Sequence, residues 1–234
     1  MKETVDDGGL PLSLKKFCEM KPQLAEGILD KLDGIVQKLM DKGLARLSIV
    51  QSIIADFVSC QQEDEGQFLK VQSFAQTIKE KIPSLLASRQ GLSVACAFFS
   101  ILDAKDRKIV VKSLPVAEMM TNKIAHLFLI HIITTLDDTQ LTKKKILHEA
   151  LKMIDDQVAD RQFQLVLLSA LLPIEVLNKK FLTAEEAGSM QMCQARSSSK
   201  KDRKIRWAEL VKVVQKPLEI FFEEKLQYYL VEIN

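Results

Sequence analysis

The stretch GLSVACAFFSIL, residues 91–102, decides the fold of this 234-residue chain. Its apolar residues are spaced i, i+1, i+4, i+5 and i+8, which places them on one face of an α-helix: Val94, Ala95, Phe98, Phe99 and Leu102. Stripes of the same kind lie within 49–57 and 166–171. A helix with so wide an apolar face must pack against neighbours, so each stripe marks the more buried helix of a helical unit.

These helices belong to an internal repeat. Its four copies begin at Arg46, Gly91, Ala125 and Phe163, which are 45, 34 and 38 positions apart. A period of this length with two or more helices per unit is typical of an α-solenoid. The sequence therefore predicts an all-α solenoid of about four stacked helical repeats plus terminal helices. The alternative is a compact helical bundle whose self-similarity is accidental.

Composition excludes several classes of protein. The chain is 47% hydrophobic and 27% charged, which is ordinary for a globular protein, and its 8 Gly and 6 Pro are too few for the turns of an all-β fold. No apolar run approaches the roughly 20 residues that cross a bilayer, and the first ten residues are acidic where a secretory signal is basic. The four cysteines are scattered without a C-x-x-C pair, which favours a reducing compartment over disulfides or zinc.

Positive charge is concentrated near the end of the chain. The net charge is only +2, yet six Arg and Lys residues within 196–206 face a single acid, Asp202. Together with three adjacent serines this composition is typical of a mobile basic loop. We therefore expect four segments: an N-terminal helical or flexible segment (1–35), the repeats (36–190), a basic Ser-rich loop (191–206) and a C-terminal helix (207–234).

Several motifs in register resemble the Pumilio-homology (Puf) repeat family, and more narrowly its Puf-A branch, the nucleolar Pumilio-like proteins of ribosome assembly. The motif KDRKIVVK at 105–112 is followed by Ala125-His126-Leu127, by Leu136-Asp137-Asp138-Thr139, and by KKDR at 200–203. The resemblance covers about residues 35 to 230. It implies an array of Puf-like repeats that is part of a longer family member, because the family has further repeats before the matched region.

The resemblance also supplies positions to test for base recognition, since two or three side chains of one helix in each Puf repeat read one base. By registration these reader positions are Leu47, Ser48, Gln51, Leu92, Ser93, Cys96, His126, Leu127, Ile130, Gln164, Leu165 and Leu168. Leucine and isoleucine have no groups that hydrogen-bond to a base edge. We therefore expect little sequence specificity, with binding through phosphates instead.

The candidate nucleic-acid contacts are cations that lie outside the apolar stripes, together with two polar reader positions: Lys105, Arg107, Lys108, Lys112, His126, Lys143, Lys144, Lys145, Gln164, Lys200, Lys201, Arg203, Lys204 and Arg206. The pair Lys179-Lys180 adds to this charge. For each cluster the alternative is a solvated helix face. His126 is alternatively a hydrogen-bonded structural residue, and Trp207 either stacks on a base or wedges between helices.

Catalysis and cofactors are not expected. None of the common nucleotide-binding, hydrolase or metalloprotease motifs occurs, the histidines lack ligand spacing, and an N-cap explains Asp137-Asp138 better than a carboxylate pair. The function implied by the resemblance is a non-catalytic RNA-binding scaffold in the nucleus and nucleolus, with pre-rRNA, mRNA or DNA and pre-ribosomal proteins as partners. The alternative is a protein-interaction solenoid whose Leu-rich strip binds a peptide or helix.

Overall fold

A computed structural model describes residues 14–60, 65–190 and 199–232, and these ranges contain helices and turns but no strand. The helices are α1 (Leu14–Met20), α2 (Pro22–Asp41), α3 (Ser48–Cys60), α4 (Glu65–Ile78), α5 (Arg89–Ile101), α6 (Ala104–Ser113), α7 (Val116–Met120), α8 (Ala125–Thr135), α9 (Thr139–Thr142), α10 (His148–Gln157), α11 (Arg161–Leu171), α12 (Ile174–Lys180), α13 (Ala184–Met190) and α14 (Arg203–Glu232). A π-helical turn, Lys143–Leu147, joins α9 to α10.

The most buried helices stack in a single row. Helix α3 packs on α5, α5 on α8, α8 on α11 and α11 on α14. We call the first four the reader helices, because α5, α8 and α11, and α3 from Ser48 on, carry nearly all of the reader positions. The row confirms the predicted all-α solenoid, and three of its members, α3, α5 and α11, carry the apolar stripes found in the sequence.

Aromatic rings join neighbouring layers of this row. Phe98 and Phe99 of α5 are fully buried. The Phe99 ring lies edge-on to Phe128 of α8, with 5.7 Å between centroids. Phe98 meets Phe74 of α4 at 5.7 Å, and Phe74 meets Phe57 of α3 at 6.3 Å. Edge-to-face pairs of this kind add to the free energy gained by burying the rings.

Polar N-caps begin several of the helices. The side chain of Ser88 accepts a hydrogen bond from Gly91 N at 3.1 Å, and Asp103 caps α6 in the same way at 2.7 Å. Asp138 accepts from Leu141 N at 2.9 Å and Asp160 from Phe163 N at 2.8 Å. Each cap satisfies a backbone N–H that the helix itself leaves free. Asp138 is therefore an N-cap.

Gly91, the first residue of the quoted stretch, is required by close packing. A Cβ at this position would lie 1.9 Å from the backbone oxygen of Leu85 and 2.5 Å from Gln51 Oε1. No side chain fits such a gap, so the glycine lets α5 approach both α3 and the turn before it.

Two boundaries differ from the sequence-based expectation. Helix α14 begins at Arg203, inside the segment 191–206 that we expected to be a loop, and 191–198 lie outside the described residues. Helix α2 runs through residue 35, and both α1 and α2 pack on α3, so the described part of the N-terminal segment is joined to the array. No helix in the described ranges is both long and apolar enough to cross a membrane.

Candidate nucleic-acid interface

Most reader positions are closed to solvent. On α5, Leu92 and Cys96 are buried, and on α8 all three positions, His126, Leu127 and Ile130, are buried. Gln51 is also buried, where its amide donates to Ala45 O at 2.7 Å. A base cannot contact side chains that are buried inside the protein, so these parts of the reader helices belong to the core.

Helix α13 covers part of this face, because it packs against both α5 and α8. Arg161 donates to both carboxylate oxygens of Glu186, at 2.9 and 3.0 Å, and Arg89 pairs with Glu185 at 2.9 Å. Thr183 and Glu186 form a capping box: Glu186 accepts from Thr183 N at 2.8 Å and its own N–H donates to the Thr183 hydroxyl at 3.2 Å. The reciprocal bonds fix the start of α13.

The Arg161–Glu186 pair is strongly coupled. Hydrogen bonds from Arg161 lower the pKa of Glu186 to about 2, although burial of the carboxylate acts in the opposite direction. Charge-assisted bidentate bonds of this kind are among the stronger polar contacts in proteins. They tether α13 to the first turn of α11.

The two polar reader positions among the candidate contacts are used within the protein. His126 is completely buried, its Nδ1 lies 2.8 Å from Asn122 O, and burial lowers the pKa of its imidazole. It is thus a neutral structural histidine. Gln164 is exposed, but its amide donates to Val158 O at 2.7 Å. Both side chains support turns of the array. The complete burial of His126 removes it from the set of nucleic-acid contacts, while the exposed Gln164 stays in the set.

Arg107 is an interior residue. It is 2% exposed, and its guanidinium donates to Phe99 O at 2.8 Å, to Ser199 Oγ at 2.7 Å and to Ser100 O. The guanidinium also lies over the Phe99 ring, 5.3 Å from its centroid. Burial lowers the pKa of Arg107 to about 10, which leaves it protonated near neutral pH. A phosphate has no access to this group, so Arg107 also leaves the set.

Arg206 is the second buried arginine, at 3% exposure. It donates to Thr135 O at 2.9 Å and pairs with Asp137 at 3.0 Å. The hydroxyl of Ser199 donates to the same Thr135 oxygen. The described residues 199–206 are thus anchored on the end of α8 and are not the mobile loop that the composition indicated. Arg196, which contributed to that expectation, lies outside the described residues.

The remaining described cations of this segment, together with Lys108 of α6, form a surface that we call the basic edge. Its members are Lys108, Lys200, Lys201, Arg203 and Lys204. Its centre is the cap of α9. Lys108 pairs with Asp138 at 2.8 Å, and Lys200 N donates to the carboxylate of Asp137 at 2.7 Å. Lys201 and Arg203 pair with Glu209 at 2.6 Å and with Glu175 at 3.5 Å.

The Arg203–Glu175 pair of the basic edge is weak enough to exchange. The Arg203 and Glu175 side chains are 63% and 69% exposed. Solvent-exposed pairs contribute about 0–1 kcal/mol. A phosphate that replaces the Glu175 carboxylate therefore breaks a contact that contributes little free energy.

A surplus of lysines lies on and beside the basic edge. Among the residues that the structure describes, these side chains have no ion pair: Lys105, Lys112, Lys143, Lys144, Lys145, Lys200 and Lys204. The triplet 143–145 lies in the π-helical turn that directly follows α9, the helix whose cap is the centre of the basic edge, and that packs against α14. Lys144 and Lys145 are exposed, and Lys143 is half-buried.

One feature of this region could not be found in the sequence. A groove of about 700 Å³ opens between the ends of α8 and α11 and the beginning of α14, and Trp207 lines it. Its walls come from three helices that are distant along the chain. The only sequence signal is the lone tryptophan beside a basic run.

In the described ranges no cluster of three or more His, Cys, Asp or Glu side chains could hold a metal ion.

Known proteins similar to this chain share its repeat architecture. Human Pumilio homolog 3 is 26% identical over 219 residues, which are 92% of this chain and 32% of the relative. Pumilio homology domain family member 6 of Saccharomyces cerevisiae is 24% identical over 135 residues, 57% of this chain and 20% of the relative. The chain spans about a third of the length of the first of these. No protein-family model matches the chain.

Solved structures agree with these relatives. A crystal structure of human Puf-A superimposes with a TM-score of 0.81 at 25% identity, over 92% of this chain and 41% of that one. A crystal structure of human Puf-A in complex with DNA shares the fold, with a TM-score of 0.80 at 24% identity over 92% of this chain and 42% of that one. The resemblance read from the sequence is thereby confirmed: the chain is a Puf-like repeat array similar to part of Puf-A.

Proposed function

We propose that the chain is a non-catalytic scaffold that holds RNA, or DNA, by its phosphates and with little preference for sequence. The observation that carries this proposal is the separation of two surfaces: the reader positions are mostly buried, while most cations of the basic edge and most of the surplus lysines are exposed. A human Puf-A structure in complex with DNA supports nucleic acid as the partner class.

Binding at the basic edge is an exchange of ions. Lysine and arginine displace the cations condensed on the nucleic acid, and the exposed pair of Arg203 with Glu175 reopens to admit phosphate oxygens. For five phosphate contacts on a single strand, the logarithm of affinity falls with the logarithm of salt at a slope of about −3.5. Base identity does not enter, because the contacts reach only the backbone.

Within this scaffold function we propose a role in the nucleolus, on pre-ribosomal RNA and beside pre-ribosomal proteins, as the likeness to Puf-A implies. The array makes and breaks no bond in this role and works by positioning. The competing function, a protein-interaction solenoid that uses the Leu-rich strip, has less support. Leu92, Leu127 and Leu165 of that strip are buried and cannot receive a partner, while Leu47 is exposed and Leu168 is half-buried.

The decisive variant for this proposal reverses charge next to the basic edge. We expect K143E/K144E/K145E to weaken binding of a mixed-sequence RNA by about tenfold or more at low salt and to flatten its salt dependence. The measurement is fluorescence anisotropy of the labelled RNA, with circular dichroism to confirm that helicity is retained.

A matched control keeps the change in net charge the same. Lys31, Lys38 and Lys42 are exposed on and just after α2, at the opposite end of the row. The variant K31E/K38E/K42E should bind nearly as well as the wild type. Equal losses in both triple variants would show that net charge matters and the basic edge does not, which would overturn the proposed site.

A further inference from the structure

The groove beside the basic edge has an apolar interior. Ile133 of α8, Leu172 and Ile174 at the α11–α12 junction, and Leu210 of α14 line it, in a volume of about 700 Å³. This space is larger than one nucleobase requires. Arg203 and Lys204 of the basic edge also line the groove.

Trp207 lines the same groove. It is the only tryptophan of the chain and is 37% exposed, so it is not the buried wedge that a lone tryptophan more often provides. The exposed indole borders an apolar groove and follows Arg203 and Lys204 by one turn of α14. A flat aromatic surface beside cations is the arrangement with which proteins hold single-stranded nucleic acids.

We propose that the groove receives one unstacked base of a single-stranded nucleic acid, stacked on Trp207, while the adjoining phosphates contact Lys204 and Arg203. This inference rests on the proposed function and names the class of nucleic acid that the basic edge holds. It predicts that single strands bind more tightly than duplexes of the same length, because a paired base cannot enter the groove.

The charged residues that line the groove are suited to such a ligand. Of the two acids there, Asp202 is occupied as an N-cap, since it accepts from Lys204 N at 2.8 Å and from Ile205 N at 3.4 Å. Glu175 is held only by its exposed contact with Arg203 at 3.5 Å. The Lys204 ammonium has no ion pair with any residue in the described ranges. A phosphate beside Lys204 therefore meets an ammonium group that has no ion-pair partner among the described residues.

The polar groups inside the groove do not read bases. Ser169 donates its hydroxyl hydrogen to Val166 O at 2.7 Å, and Thr134 donates to Ile130 O at 2.9 Å. Both hydroxyls are thus committed to their own helices. Recognition in the groove is by stacking, which every base can provide, and it is consistent with binding that ignores sequence.

The test uses the intrinsic fluorescence of Trp207 in the full chain. Oligouridylate of about eight nucleotides is compared with an abasic oligomer of the same length, which carries the phosphates without the bases. We expect oligouridylate to quench Trp207 and to bind about tenfold more tightly than the abasic oligomer. W207A should reduce the affinity for oligouridylate to that of the abasic oligomer, and W207F should retain most of it.

The outcomes separate this inference from the proposed function. Equal affinity for the two oligomers with unchanged fluorescence overturns the base-binding groove and leaves the phosphate-binding scaffold standing. Failure of both oligomers to bind at low salt overturns both proposals. A response of Trp207 to an acidic, leucine-containing peptide but not to oligouridylate would assign the groove to a protein partner. If W207A does not fold, the comparison of oligomers on the wild-type chain still decides.

Discussion

The reader helices and the basic edge are two regions of one array with opposite properties. The side chains of the first are largely apolar and buried, and those of the second are charged and largely exposed. The reader helices place leucine and isoleucine at many positions where a base-reading repeat places polar groups, and α13 packs over α5 and α8. The basic edge consists of helix caps and the first turn of α14, where most of the cations are exposed and the Arg203–Glu175 pair is weak. Packing of the helices and contact with the ligand thus depend on different residues. A substitution on the ligand-binding surface therefore changes binding without disturbing the core.

The largest expected effect comes from opening the row of reader helices. Phe128 is fully buried and contacts the Phe99 ring at 5.7 Å, so F128A should reduce the free energy of unfolding by about 3–5 kcal/mol. Urea denaturation measures the loss. At temperatures where the variant stays folded, its affinity for RNA should match that of the wild type, since no ligand contact is removed. An equal loss of RNA affinity in the folded variant would contradict the division between the two regions.

A matched pair of substitutions sharpens the comparison within the first turn of α14. R206M leaves Asp137 without its buried partner and should cost about 2 kcal/mol of stability, less than the roughly 3–5 kcal/mol of a fully buried pair because Asp137 is partly exposed. K204M should leave stability unchanged within about 0.5 kcal/mol and weaken RNA binding instead. Urea denaturation and anisotropy on both variants give the result. If K204M destabilises the fold and R206M does not, the assignment of the two cations is reversed.

A smaller effect is expected where α13 is fastened over the reader helices. The pKa of Glu186 in the folded chain is about 2, below its ordinary value of 4.5, so the pair stabilises the fold above pH 4.5 and loses this contribution as the pH falls toward 2. Because Arg161 is 46% exposed, solvent screening reduces the contribution to about 1 kcal/mol. Unfolding of the wild type and of E186Q should therefore differ at pH 7 and converge near pH 2. A difference that does not change with pH would show that the carboxylate charge is unimportant there.

Sequence reasoning was strongest where local pattern determines structure. The apolar stripes identified the buried row, Asp138 was correctly recognised as a cap, and the resemblance located the repeats. It was weakest where distant segments meet. Arg107 lies in a run of exposed lysines, and only its contact with Ser199, 92 residues later, makes it an interior residue. Arg206 is likewise buried by residues of α8 and its following turn, about 70 positions earlier.

The groove and the position of α13 also escaped prediction, because each depends on several helices meeting in space. The capping box of α13 was legible in the sequence as Thr183-Ala184-Glu185-Glu186, and it gives the start of a helix. It does not say which surface that helix covers. Composition likewise predicted a mobile loop, since serine and lysine content cannot reveal the anchoring contacts of Ser199 and Arg206.

The central claim is that this array holds nucleic acid by its phosphates and disregards its sequence. The most direct measurement is the affinity of the wild-type chain for two mixed-sequence single-stranded RNAs of equal length, taken across a range of salt concentrations. The account predicts equal affinities and two parallel lines that fall steeply as salt increases. A difference of about tenfold or more between the two RNAs that persists at high salt would contradict it, because such a difference requires contacts to base edges.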